Sequence, residues 1–389
     1  FFFQPHPGIP DPLWSRGLGD VYKRQTQDRT PVSILTGFLG SGKTTLLSKL
    51  LTNKDMENVA VIINEFGEVG IDDALVVKSN EDTILLNNGC LCCTVRGDLV
   101  NTMQSLHMQR TSGEINYFDR LVVETTGLAD PAPILHTMMA DQFLVNYYRL
   151  DGVITVVDAH HAMQQFDSQF ESVKQAAVAD RIVLTKVDVT DINSIAEVKK
   201  RLETLNPAAP ILEASHGNVE PSELFNAGLY NPLTKTADVS RWLKEEAYME
   251  TEGHVYHRHD DHEKHQHDHK HDHAHHHDHE HDVNRHDDHI YSFAIHFDRP
   301  LKWAKIAGSL DMLAQTHGAS ILRIKGILNI EEIEKQPVVV HAVQHMFHPP
   351  AKIDAWPSDD RRSRLVFIVK DIGRDKIEDA LNSYLAMDF

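Results

Sequence analysis

The chain has 389 residues, 41% of them hydrophobic and 24% charged, enough at about 100 to 200 residues per domain for two or three units with real cores. Its longest apolar runs, near residues 59–64 and 152–159, are far shorter than the roughly 20 residues of a membrane-spanning helix, so no membrane is expected among its partners. A net charge of −19 likewise excludes a general nucleic-acid binder, which needs a basic excess.

Residues 1–25 lack an initiating Met, and "SRGLGDVYKRQ" resembles translated adapter read-through. Pro5, Pro7, Pro10 and Pro12 would interrupt the apolar core of a signal peptide. Residues 1–30 are therefore expected to be a non-native or disordered leader. From Pro31, short runs rich in Val, Ile and Leu alternate with segments of helical period, the pattern of an α/β fold whose mostly parallel sheet is covered by helices. Strands are predicted at 31–36, 58–64, 83–87, 120–125, 152–159 and 181–186, and helices at 44–53, 96–109, 131–139 and 192–205. One α/β domain over 31–240 accommodates them.

Composition changes after Trp242. Residues 254–289 hold 16 of the 27 histidines, ten acids and four Lys or Arg, with only Val255, Tyr256, Ala274 and Val283 as apolar members. Such a stretch cannot bury enough surface to offset its ordering entropy, so 241–289 is expected to be a metal-binding linker, disordered without metal. Its net charge of −6 would become +10 with every imidazole protonated, a swing centred near pH 6 to 7. A solvated acidic spacer or an expression tag is the bland alternative; the interspersed acids and internal position fit a tag poorly. Beyond it, 290–389 reads β-α-β-β-β-α, a small C-terminal α+β domain with strands predicted at 290–297, 320–330, 337–347 and 363–370 and helices at 300–318 and about 374–385.

The nucleotide signals sit at strand ends. "GFLGSGKT" at 37–44 is a complete P-loop between a predicted strand and helix. Backbone N–H groups from Gly37, Gly40, Ser41 and Gly42 onward, with Thr45 in the first turn, would face phosphates; Lys43 would reach the outer two, and the Thr44 hydroxyl would ligate Mg²⁺. "LVVETTG" supplies Glu124 as the metal-linked acid and Gly127 for close approach to the γ-phosphate. In "LTKVD", Asp188 would accept from N1–H and the exocyclic amine of guanine while the stem of Lys186 covers the ring. Two such bonds give roughly 10² to 10⁴ in discrimination against adenine. Guanine motifs usually begin with Asn where this chain has Thr185, so weaker loop support is expected. "ASHG" at 214–217 is placed to add a further base-contacting loop.

The three cysteines, Cys90, Cys92 and Cys93, lie within four positions. That spacing is too tight for a structural disulfide framework and leaves metal binding or redox chemistry, in a reducing, cytoplasmic setting. "NNGCLCCTVRGDL" reads as a loop between a strand and a helix, and three thiolates with an open fourth position suit Zn²⁺ or a similar borderline-soft ion. A redox pair and incidental buried cysteines are the competing readings.

In order, "GFLGSGKTT", "NEFGEVGIDD", "GCLCC", "ETTGLADP" and "TKVD", then a His-rich tract and a small terminal domain, resemble the CobW family of metallochaperone GTPases across residues 31–389. The resemblance implies GTP hydrolysis coupled to delivery of zinc, or alternatively Co²⁺, to a client metalloprotein, with GTP and Mg²⁺ as cofactors and a homodimer left open. It also implies that "NEFGEVGIDD" is a nucleotide-responsive switch and that Glu68 is an additional metal ligand. Where some relatives carry a carboxylate before Asn64, this chain has Ile63. The alternatives are a His-rich zinc or cobalt buffer and a P-loop ATP-dependent kinase.

Overall fold

The computed structural model describes residues 29–64, 76–80, 83–86, 91–94, 99–225, 290–333, 335–353 and 355–387. Residues 1–28, the segment 65–75 with Glu68, Cys90 and the His-rich tract lie outside them, whereas Arg29 and Thr30, expected in the leader, are described, Thr30 opening the first strand and Arg29 donating to the Val145 carbonyl at 2.8 Å. Nine strands form the first sheet: β1 (Thr30–Gly37), β2 (Val59–Asn64), β3 (Val76–Asn80), β4 (Thr83–Leu86), β5 (Leu91–Thr94), β6 (Arg120–Thr125), β7 (Tyr148–Asp158), β8 (Arg181–Thr185) and β9 (Ile211–Ala214). The spatial order is β3-β4-β5-β2-β6-β1-β7-β8-β9. From β5 to β9 all neighbours pair in parallel, and β3 and β4 add an antiparallel margin.

The central strands read as unbroken apolar runs because helices cover both faces. On one face Val32, Ile34, Leu121 and Val123 pack with Met103 of α2 (Leu99–Ser112) and Leu135 of α3 (Ala132–Ala140). On the other, Leu35, Val61, Val122 and Ile154 pack with Leu46 and Leu50 of α1 (Lys43–Leu50). Three short helices outside the predicted set, α4 (Gln142–Tyr147), α5 (Ala162–Ser168) and α6 (Phe170–Ala177), flank β7. Each spans at most about two turns, too little for a helical period to declare itself. Then follow α7 (Ile192–Leu205), with the predicted bounds and capped by Asp191, and α8 (Pro221–Leu224).

The second sheet is antiparallel. Its strands are β10 (Ile290–Phe297), β11 (Ile321–Leu328), β12 (Val338–Val343), β13 (Met346–Phe347), β14 (Ala351–Lys352) and β15 (Ser363–Lys370), in the order β10-β15-β11-β12-β13 with β14 also on β12. The run predicted as one strand from Pro337 to Phe347 is instead a hairpin, turning at Gln344 with φ 53° and pairing Val343 with Met346. Alternation sorts the faces: Leu365, Phe367 and Val369 of β15 pack under α9 (Trp303–His317) and α10 (Arg374–Leu385), while Ile368 joins the core of the first sheet's helices. The second sheet therefore has helices on one face and the first unit on the other. A register shift between Ile321 and Arg323 marks a bulge in β11, after which Arg323 and Lys325 share the face opposite Ile324 and Leu328. Both cations are buried against the first unit, Arg323 3% and Lys325 7% exposed. No helix among the described residues is long and apolar enough to cross a membrane.

Candidate nucleotide and metal site

All four predicted nucleotide segments sit at the carboxyl edge of the parallel strands, where an α/β sheet places ligands. At the end of β1 the chain turns sharply through Gly37, with φ 145° and no room for a side chain, since a Cβ would lie 2.2 Å from the Val156 carbonyl oxygen. Lys43, buried at the start of α1, folds back so that Nζ donates to the carbonyls of Gly37 (3.0 Å) and Phe38 (3.3 Å). Its ammonium is thus held in the concavity of the loop. Ser41 is fully buried, and its Oγ has no hydrogen-bond partner among the described residues. A donor left without an acceptor inside a glycine-built cradle fits a phosphate oxygen. Gly40 and Gly42 hold positive φ within the same loop, and Thr45 stands exposed on the first turn of α1.

Thr44 Oγ1 donates to Glu124 Oε1 at 2.8 Å, joining the helix start to the end of β6. Glu124 is fully buried. A hydroxyl and a carboxylate at the rim of a phosphate cradle form a hard oxygen set, the chemistry that holds Mg²⁺ beside a nucleotide. Three residues on, Gly127 presses against the P-loop, where an added Cβ would be 2.7 Å from the Leu39 backbone. That contact explains the glycine.

Thr185 corrects the expectation of weaker loop support. From the end of β8 its hydroxyl donates to the Ser41 carbonyl at 2.6 Å and lies 3.1 Å from that of Val157, tying the base-side strand to the phosphate loop. Lys186 follows with φ 57°, and Nζ bonds Asp158 Oδ2 at 2.7 Å. Sequence reasoning assigned Asp158 no role, although it is the acid that closes an apolar strand. It is 2% exposed, accepts from the His160 backbone at 2.9 Å and pairs with His161 Nδ1 at 2.9 Å. Burial opposes its ionisation, but the bonds from Lys186 and His161 outweigh that and hold its carboxyl below the ordinary range. Asp158 thus holds the ammonium of Lys186, two residues before Asp188 in the chain. The loop after β9 arrives from the other side, with His216 N and Nδ1 each 3.4 Å from an Asp188 carboxylate oxygen and Gly217 against Thr45 and Lys49 of α1.

The cysteines are placed differently from expectation. Cys92 and Cys93 belong to strand β5 rather than to a loop, with Cys92 opposite Val61 of β2 and Ile84 of β4, and Cys93 opposite Ile62 and Thr83. The strand predicted at 83–87 ends at Leu86, and a separate strand follows at Leu91–Thr94. Because β5 is parallel to β2 and β2 to β6, Thr94, Ile63 and Glu124 fall in one register row. The cysteine strand consequently ends on the edge that carries the phosphate cradle. Cys90 and Glu68 are outside the described residues, as is the switch between β2 and β3.

Two family models match the chain: the CobW/HypB/UreG nucleotide-binding domain over residues 31–213 and the cobalamin synthesis protein cobW C-terminal domain over 290–385. A curated relative, the zinc chaperone YjiA of Escherichia coli, is 31% identical over 350 residues, covering 90% of this chain and 96% of that protein. The zinc-regulated GTPase metalloprotein activator 1 of Saccharomyces cerevisiae is 27% identical, covering 95% and 86%. Among solved structures, the Zn(II)-bound YjiA GTPase from E. coli superposes with a TM-score of 0.66 at 30% identity, covering 92% of this chain and 99% of that one.

Proposed function

The chain belongs to the CobW family, and from that membership we propose that it is a P-loop GTPase that carries a divalent metal, zinc, to a client metalloprotein. The observation that carries the reading is the bond between Thr44 and Glu124 beneath the glycine cradle, on the sheet edge where the cysteine strand also ends. Lys43 sets its charge against the transferring phosphoryl group, and the P-loop amides hold the phosphates in line. Thr44 and Glu124 would hold Mg²⁺, which would supply positive charge to the phosphate oxygens. Gly127 brings backbone to the γ-phosphate side of the P-loop. Asp188 selects guanine, with Lys186 held against Asp158.

Zinc is cargo in this scheme, carried by Cys90, Cys92 and Cys93 with Glu68 as a further ligand. The His-rich tract gathers metal weakly at a reach of roughly 30 to 36 Å, comparable with a domain. GTP changes zinc affinity only as far as zinc changes GTP affinity, so capture and release require a coupling of about 1 to 3 kcal/mol, or roughly 5- to 150-fold. The relatives' names, zinc chaperone and GTPase metalloprotein activator, support this pairing of nucleotide and metal.

Calorimetry of Zn²⁺ binding to a variant lacking residues 254–289, with a Mg²⁺–GTP analogue, with Mg²⁺–GDP and without nucleotide, tests it. One tight site whose affinity depends on nucleotide, lost when the three cysteines become Ser, is expected. Equal affinity in all three states would leave a metal buffer. Phosphate release from GTP should nearly vanish in Lys43→Ala, and Asp188→Asn should narrow the preference for GTP over ATP.

A further inference from the structure

Helix α6 is tied to the nucleotide site through its last turn, and the second sheet holds it just beyond that turn and at its start. Gln175, 1% exposed, donates from Nε2 to the carbonyls of Gly127 (3.2 Å) and Ala129 (3.0 Å), two points of the loop pressed on the P-loop. Lys174 bonds Asp130 in the same loop, and the Gln175 backbone carbonyl accepts from Thr155 of β7 at 2.8 Å. One turn later the second sheet takes hold. Arg323 of β11 donates to the Val178 carbonyl and pairs with Asp180, which Lys325 also reaches at 3.0 Å. At the helix's other end, Lys370 of β15 lies 3.9 Å from the centre of the Phe170 ring. A second path runs through α3: the Asp130 carboxylate caps Ala132 N at 3.0 Å, and His136 lies 3.3 Å from the Val343 carbonyl.

We propose that Gln175 is a positioning residue for GTP hydrolysis, holding the Gly127 loop at the γ-phosphate, and that Arg323 of the second sheet sets this position through α6. The inference rests on the GTPase reading above. A loop that must approach the γ-phosphate moves relative to the P-loop between nucleotide states, and here two carbonyls of that loop hang from one buried amide. Any shift of Gly127 and Ala129 is passed to the last turn of α6, and Arg323 grips the chain just beyond that turn, at Val178 and Asp180. The C-terminal unit therefore registers whether the site holds a triphosphate, and its attachment tunes the rate of hydrolysis.

The test uses the full chain. Gln175→Met keeps the volume and removes both donors; Arg323→Met removes the grip on Val178 and Asp180. Each should lower kcat for GTP by about tenfold while leaving GDP affinity within about twofold, because GDP lacks the phosphate that the loop approaches. Gln175→Asn, which retains an amide, should recover part of the loss, and the double variant should lose less than the product of the two single losses. A kcat for Arg323→Met within about twofold of the parent would overturn the coupling across the junction, and the same result for Gln175→Met would overturn the positioning role. If either variant fails to fold, hydrogen exchange of the parent decides. A GTP analogue with Mg²⁺, compared with GDP, should change protection in peptides covering 126–131, 173–181 and 321–325, and identical exchange of 321–325 in the two states would overturn the proposal. Absence of protection at 37–45 with either nucleotide would instead remove the GTPase reading, and this inference with it.

Discussion

Thr185 shows how a residue can depart from a familiar motif and still do its structural work. A threonine hydroxyl reaches one carbonyl where an Asn side chain would offer an amide, and the bond to Ser41 at 2.6 Å is shorter than most neutral ones. Thr185→Val preserves shape while leaving the buried Ser41 carbonyl without this donor, a cost of about 1 to 3 kcal/mol. Since that carbonyl belongs to the diphosphate cradle, GTP and GDP should both bind about tenfold more weakly, and Thr185→Ser should bind nearly as the parent. Equal affinities for the Val and Ser variants in fluorescent-nucleotide titrations would refute the role. The motif letters themselves were legible in the sequence: Gly37 to Thr44, Glu124, Gly127 and Asp188 all come to the same sheet edge. Asp158 was not, because an acid after an apolar strand looks the same whether it meets solvent or a lysine. Only the fold supplied Lys186 as its partner.

At the scale of elements, long or strongly patterned segments were legible and short ones were not. Strand β6, helix α7 and the strands β10 and β15 keep their predicted bounds, since each carries an apolar run, a period-two alternation or a full helical period. Helix α6 went unseen, being eight residues long and starting at Phe170 with no capping side-chain hydrogen bond. What stabilises it is tertiary. Asn206, 1% exposed at the end of α7, donates from Nδ2 toward the carbonyls of Ala176 (3.0 Å), Ala177 (3.1 Å) and Ala179 (2.9 Å), satisfying the end that a short helix leaves open. Asn206→Ala should therefore destabilise the protein by about 1 to 3 kcal/mol in urea unfolding, well beyond the effect of an exposed Asn. A midpoint unchanged from the parent would show that water or neighbouring groups replace those bonds without loss.

For the molecule as a whole, the alternation in β11 marked Arg323 and Lys325 as one face of a strand, which by itself reads as a solvent face; burial of that face against the first unit is a tertiary fact. The junction is strongly charged. Burial opposes the charge on Asp180, but Arg323 and Lys325 hold its carboxyl far below the ordinary range, while burial, with Arg323 adding to it, lowers Lys325 to about 8. Beside them the rings of His341 and His348 stack at 4.7 Å, and burial lowers both, His348 to about 3. Each contribution has its own pH window. Asp180, with a depressed folded value, adds stability that is present above about pH 4 and lost as pH falls further; Lys325 acts only between about 8 and 10.5. Between pH 7 and 5 these two imidazoles are the fully buried junction groups that matter most, with His136, also lowered by burial, contributing in the same direction beside Val343. There the unfolded chain takes up protons below about pH 6.5, and the buried rings do not, so unfolding becomes easier as pH falls. The slope is on the order of 1 kcal/mol per pH unit for each ring. Replacing both with Gln removes the titration, and in urea unfolding at pH 7, 6 and 5 the double variant should lose much less stability than the parent. A slope equal to the parent's would place the acid sensitivity elsewhere in the chain and leave the junction neutral across this range.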